Sequence, residues 1–183
     1  SKTDWGVAIG SGARVISGKG IAIGTNASSQ NDNICIGENA GAELGISIGH
    51  NVYCAYDGIG IGGNSDAHDG SVNIGGNPTH RRNAILGRGV TGASWQDTVG
   101  IGYRINTGST NTTGNWSTIV GTKAAYIAGY DSSYACVFGG QASAEYGSVA
   151  IGYEANAAGP FAVGLGYKVV APEKHFVVAS GSA

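Results

Sequence analysis

Short apolar runs, each closed by a glycine, recur along the chain at nearly constant spacing. Val7-Ala8-Ile9-Gly10 is followed by Ile21-Ala22-Ile23-Gly24, Ile34-Cys35-Ile36-Gly37, Ile46-Ser47-Ile48-Gly49, Ile59-Gly60-Ile61-Gly62 and Val72-Asn73-Ile74-Gly75. Further copies are Ala84-Ile85-Leu86-Gly87, Val99-Gly100-Ile101-Gly102, Thr118-Ile119-Val120-Gly121, Cys136-Val137-Phe138-Gly139 and Val149-Ala150-Ile151-Gly152. Phe161-Ala162-Val163-Gly164 and a degenerate Phe176-Val177-Val178-Ala179 close the series. The closing positions step by 12 to 15 residues, except from Gly102 to Gly121 and from Gly121 to Gly139, where the steps are 19 and 18. A period this short predicts an all-β parallel solenoid of about 13 short rungs rather than a layered domain.

In most tetrads the first and third residues are β-branched, and the two-residue alternation of a strand puts both on one face. That face is expected to be the core. The middle residues Ala8, Ala22, Cys35, Ser47, Gly60 and Asn73 then point the other way, and their small size suits close packing against a neighbouring chain; they are the expected interface between chains. After the glycine a second short element ends in a small residue, as in Gly24-Thr25-Asn26-Ala27 and Gly37-Glu38-Asn39-Ala40. The glycine is the corner, because it turns without strain. No helical period is present. Three stretches follow: regular repeats over 1–102, repeats with inserted loops over 103–139, and repeats with a terminal rung over 140–183.

The tetrad consensus Val-Ala-Ile-Gly-x-x-Ala resembles the head repeat of trimeric autotransporter adhesins, the Yersinia-adhesin type, most closely at Gly6 to Gly49 and Gly147 to Gly166. The resemblance implies a left-handed parallel β-roll, three identical chains packed around a threefold axis, and an adhesive role. The same roll is found in phage tail-fibre receptor-binding proteins. The coiled-coil neck and stalk that accompany such heads are absent from these 183 residues, which implies a segment of a longer fibre.

Charge is sparse, with 12 acidic and 10 basic residues, and gives no signature for nucleic acid. No apolar run approaches the length of a membrane span, so no membrane insertion is expected. The odd cysteine count (Cys35, Cys54, Cys136) has neither metal nor redox spacing. Unpaired thiols suit assembly in a reducing cytoplasm better than export through an oxidising periplasm. They favour a phage fibre, displayed on the virion surface, over a bacterial cell-surface adhesin.

Apparent catalytic motifs do not stand. Gly45-Ile46-Ser47-Ile48-Gly49 fits a hydrolase elbow, but Ser47 occupies the slot of Ala8 and Ala22. Gly87-Arg88-Gly89-Val90-Thr91-Gly92 fits a dinucleotide fingerprint without a helix to follow it. Asp66, His68 and Asp69 read as a solvated turn rather than a cation site, and no catalytic residue, metal or cofactor is expected. Insertions in solenoids project and carry function. Tyr103, Arg104, Asn111, Asn115 and Trp116, with Tyr130 and Tyr134 from the next insertion, combine amide groups with aromatics in the manner of a receptor or glycan site. A basic patch of His80, Arg81, Arg82 and Arg88 suits an anionic glycan or lipopolysaccharide phosphate. The expected function is non-catalytic attachment as a phage tail-fibre segment. The alternatives are a bacterial adhesin head binding host matrix or cells and, more remotely, a β-helical polysaccharide depolymerase.

Overall fold

The computed structural model describes residues 5–75, 83–88, 97–105, 116–123 and 134–179. They form an all-β parallel β-solenoid of about 11 turns without helix. The chain divides into two units, 1–82 and 83–183. No helix among the described residues is long and apolar enough to cross a membrane.

In the first unit the tetrads are strands β1 (Val7–Ile9), β3 (Ile21–Ile23), β5 (Ile34–Ile36), β7 (Gly45–Ile48), β9 (Gly58–Ile61) and β11 (Val72–Ile74), stacked in that order. Pairing is parallel and in register, so that Ile21 lies on Ile34, Cys35 on Ser47 and Ile48 on Ile61. The second short elements are β2 (Arg14–Val15), β4 (Ser28–Ser29), β6 (Gly41–Ala42), β8 (Tyr53–Cys54) and β10 (Asp66–Ala67), which form their own parallel sheet. The second unit repeats the plan. Its tetrad strands are β12 (Ala84–Arg88), β13 (Val99–Tyr103), β14 (Thr118–Thr122), β15 (Cys136–Phe138), β17 (Val149–Ile151), β19 (Val163–Gly166) and β21 (Phe176–Ala179). The second sheet there comprises β16 (Ser143–Ala144), β18 (Asn156–Ala157) and β20 (Val170–Ala171).

The alternation of the tetrads is as expected, but its two sides are exchanged. The middle residues Ala22, Cys35, Ser47 and Asn73 are fully buried inside their own chain, with Gly60 beside them. The β-branched first and third residues face outward: Ile9, Ile36 and Ile74 are 58 %, 37 % and 37 % exposed. Ala8, on the first rung, is itself exposed. The reason is the width of the coil. Gly60 sits so close to the opposite sheet that a Cβ placed on it would lie 2.8 Å from Cγ1 of Val52 and 2.9 Å from Sγ of Cys54. An interior this thin accepts alanine, cysteine or serine, and the isoleucines have only the outside left. In the second unit the middle slot widens to Ile85, Ile119 and Val137, all buried.

A second correction concerns register. Val149, Ala150 and Ile151 pair with Val163, Gly164 and Leu165, so the repeat copy is Val163-Gly164-Leu165-Gly166 and not Phe161-Ala162-Val163-Gly164. Phe161 instead stands at a corner, where its ring packs edge-on against Tyr146 at 5.4 Å.

On several rungs a polar residue in the slot before the tetrad stitches successive rungs together. Asn33 Oδ1 accepts the Gly45 N–H at 2.8 Å, Asn83 Oδ1 accepts that of Thr98 at 3.1 Å, and Ser148 Oγ accepts that of Ala162 at 3.0 Å. Ser65, in a different slot, makes no such bond. It occupies the interior slot held by Ala27 and Ala40, is fully buried, and its hydroxyl finds no hydrogen-bond partner among the described residues. An unsatisfied buried hydroxyl is destabilising. Ser65→Ala is therefore expected to raise stability by about 1 kcal/mol, seen as a higher midpoint in thermal or urea unfolding; a lower midpoint would show that the hydroxyl is satisfied.

Candidate functional site

The outer face of each tetrad sheet is a double stripe of apolar side chains. In the first unit, Val7, Ile21, Ile34, Ile46, Ile59 and Val72 form one column, and Ile9, Ile23, Ile36, Ile48, Ile61 and Ile74 the other. In the second unit Leu86, Ile101, Phe138 and Ile151 continue the pattern with 38–49 % exposure. Monomeric proteins rarely leave contiguous apolar patches larger than a few hundred Å² in water. The residues expected at a chain interface, Ala22, Cys35, Ser47, Gly60 and Asn73, lie behind this face, buried within the chain itself.

At either end of each tetrad strand the chain turns a corner, and both corners carry ordered ladders. Two places after the closing glycine stand Asn26, Asn39, Asn51 and Asn64, all left-handed with φ between 53° and 56°. Asparagine tolerates this backbone state better than other side chains, for which it costs roughly 1–2 kcal/mol. Their amides form a ladder: Nδ2 of Asn26, Asn39 and Asn51 donates to Oδ1 of Asn39, Asn51 and Asn64 at 3.3, 3.0 and 3.2 Å. In the second unit the same slot holds Arg104, Lys123, Gln141, Glu154 and Lys168, again left-handed. The sequence carried the signal, since each is the second residue after a repeat glycine, but the sequence reading did not use it.

The opposite corner of the second unit is aromatic. Trp116 and Tyr134 stack with centroids 5.2 Å apart and planes 12° from parallel. Tyr134 then meets Tyr146 edge-on at 5.8 Å. Trp116 is thus no core plug, being 52 % exposed. The expected glycan group is divided by this geometry. Trp116 and Tyr134 come together, as do Tyr103 and Arg104, whose guanidinium lies 5.3 Å from the ring centroid. The two pairs stand at different corners: Trp116 precedes Thr118 at the start of β14, whereas Tyr103 is level with Thr122 at its far end, about 13 Å along the strand. Because Trp116 and Tyr134 cover each other's faces, each keeps at most one face for a sugar. Asn111, Asn115 and Tyr130 lie outside the described residues, as do His80, Arg81 and Arg82 of the basic patch. Arg88 is described; it ends β12 in register with Tyr103 and is exposed.

Ser47 has no nucleophile geometry, for it is fully buried and its hydroxyl donates to the Gly41 carbonyl at 2.6 Å. Burial pushes the Cys35 thiol up to about 11 and raises those of Cys54 and Cys136 as well, which disfavours the thiolate at each. Among the described residues no three His, Cys, Asp or Glu side chains are placed to hold a metal ion. His68, from the polar turn, packs instead against the ring of Tyr53 at 6.3 Å. No known protein family matches the chain, and no curated protein matches it. By fold it is a parallel β-solenoid without an identified family.

Proposed function

We propose that the chain is a non-catalytic attachment segment, a left-handed parallel β-roll assembled as a homotrimer in a phage tail fibre, with the bacterial surface as its target. The observation that carries this reading is the double apolar stripe on the outer face of the tetrad strands. Water is a poor solvent for a face made of isoleucine and valine on rung after rung, and copies of the same stripe are its natural cover. The sequence resemblance supports three as the number of copies. Polar, aromatic and charged corners on successive rungs suit the presentation of side chains at a surface, and the buried hydroxyl of Ser47 and the raised thiol pKa of Cys35 speak against a nucleophilic role for these two residues.

Light scattering coupled to size exclusion tests the assembly. Three chains of 18.3 kDa are expected in one particle, and a stable folded monomer or dimer would overturn it. For attachment, labelled protein is expected to adsorb to bacterial cells and not to immobilised host matrix proteins. The reverse result would favour the adhesin alternative.

A further inference from the structure

Arg104 and Lys123 stand in consecutive rungs, each at a left-handed position where the first unit uses asparagine, at φ 53° and 50°. The left-handed state itself belongs to the corner of every such rung, so what sets Arg104 and Lys123 apart is the residue type placed there, a long cation where asparagine fits with less strain. The later residues of this slot in the second unit are paired. Lys168 pairs with Glu154 at 3.7 Å, and Gln141 Nε2 donates to the Tyr153 hydroxyl at 2.7 Å. Arg104 and Lys123 have no carboxylate partner among the described residues, nor has Arg88 one rung before them. The backbone fixes the three relative to one another. The Arg104 N–H donates to the Arg88 carbonyl at 2.9 Å and the Lys123 N–H to the Tyr103 carbonyl at 2.8 Å. The exposed Tyr103 stands in register with Arg88 and next to Arg104, whose guanidinium lies over its ring.

We propose that Arg88, Arg104 and Lys123, with Tyr103 next to Arg104, form a strip that binds a linear anionic polysaccharide running along the column. This rests on the attachment reading and names the ligand class for it. Rungs about 4.8 Å apart set the cations at intervals comparable to one sugar unit. A guanidinium accepts a carboxylate, phosphate or sulfate through paired N–H groups, and a flat phenol offers an apolar surface to a pyranose face. Each contact is solvent-exposed and screened by salt, so useful affinity comes from a repeating ligand meeting several copies of the strip. The chain as a whole carries a net charge of −2, which disfavours a nucleic acid and leaves the local strip as the attractive element.

The test measures binding of the assembled protein to immobilised polygalacturonate, dextran sulfate, neutral dextran and a single-stranded oligonucleotide, at low and high salt. Retention by polygalacturonate or dextran sulfate is expected, with none by dextran and loss at high salt; the preferred polymer distinguishes carboxylate from sulfate chemistry. The double variant Arg104→Asn/Lys123→Asn installs the residue that the first unit uses in this slot, so its melting temperature is expected to be equal or higher while affinity falls at least about tenfold. Unchanged binding by that variant, equal binding to dextran, preference for the oligonucleotide, or no binding to either anionic polymer would each overturn the strip. A stable trimer in those experiments leaves the attachment reading standing, and a folded monomer counts against that reading instead.

Discussion

Gly37→Ala is expected to prevent the first unit from folding. Gly37 has φ +130°, outside the range that side chains adopt, and a Cβ there would overlap the carbonyl oxygen of Gly49 on the next rung. Relief by a backbone shift is blocked on both sides. The Gly37 N–H is held by the Ile23 carbonyl at 2.7 Å, the Gly49 N–H by the Ile36 carbonyl at 2.7 Å, and Gly49 itself stacks on Gly62 in the same way. Moving one corner therefore breaks a ladder that runs through neighbouring rungs. A penalty above about 4 kcal/mol follows from combining a forbidden conformation with backbone overlap, close to the whole net stability of a small domain. Gly63→Ala is the control, because nothing lies within 4 Å of its added Cβ. Circular dichroism and thermal melting should show the control like the parent and the Gly37 variant without a cooperative transition. A soluble Gly37 variant melting within a few degrees of the parent would refute the corner geometry.

How far the fold was legible in the sequence depends on which physical signal each feature left. Periodic tetrads and their glycines disclosed a solenoid and its corners, because a repeating unit must stack and a turn without strain needs glycine. Alternation also disclosed that Ile34 and Ile36 share a face opposite Cys35, yet parity alone does not say which face is inside. Hydrophobicity suggested isoleucine. Size decided otherwise, since a coil whose sheets close on Gly60 to within contact of Val52 and Cys54 has no room for isoleucine at each rung. Size gives no such guide for Phe161: large residues such as Phe176 do stand in the outward first position, and only the strand register, Val149 on Val163, shows that Phe161 lies before β19 and takes the corner. The candidate site was legible only in its residue types. Insertions were grouped by sequence proximity, which joined Tyr103 to Trp116, whereas stacking joins residues one rung apart: Arg88 with Tyr103, and Trp116 with Tyr134.

Exchange of the two faces changes what a charge should do at each. Ala22→Glu places a carboxylate in the chain's own interior, where the native side chain is fully buried, and should unfold the column whether or not it assembles. Ile36→Glu together with Ile48→Glu acts on the outer stripe instead. Both isoleucines belong to the column that also contains Ile23 and Ile61, and they reach solvent in the single chain, so the charges cost little there. In the proposed trimer the stripe is covered, and a carboxylate buried without a partner costs about 3–5 kcal/mol, incurred twice per chain. Assembly should fall below detection at micromolar concentration, read by light scattering as loss of the threefold mass. Val170→Glu is the matched control: it lies on the second sheet, points outward at 58 % exposure, and should leave the trimer intact. A trimer that survives both charges on Ile36 and Ile48 would show that the isoleucine face is not the seam, and dissociation by Val170→Glu alone would move the seam to the opposite sheet.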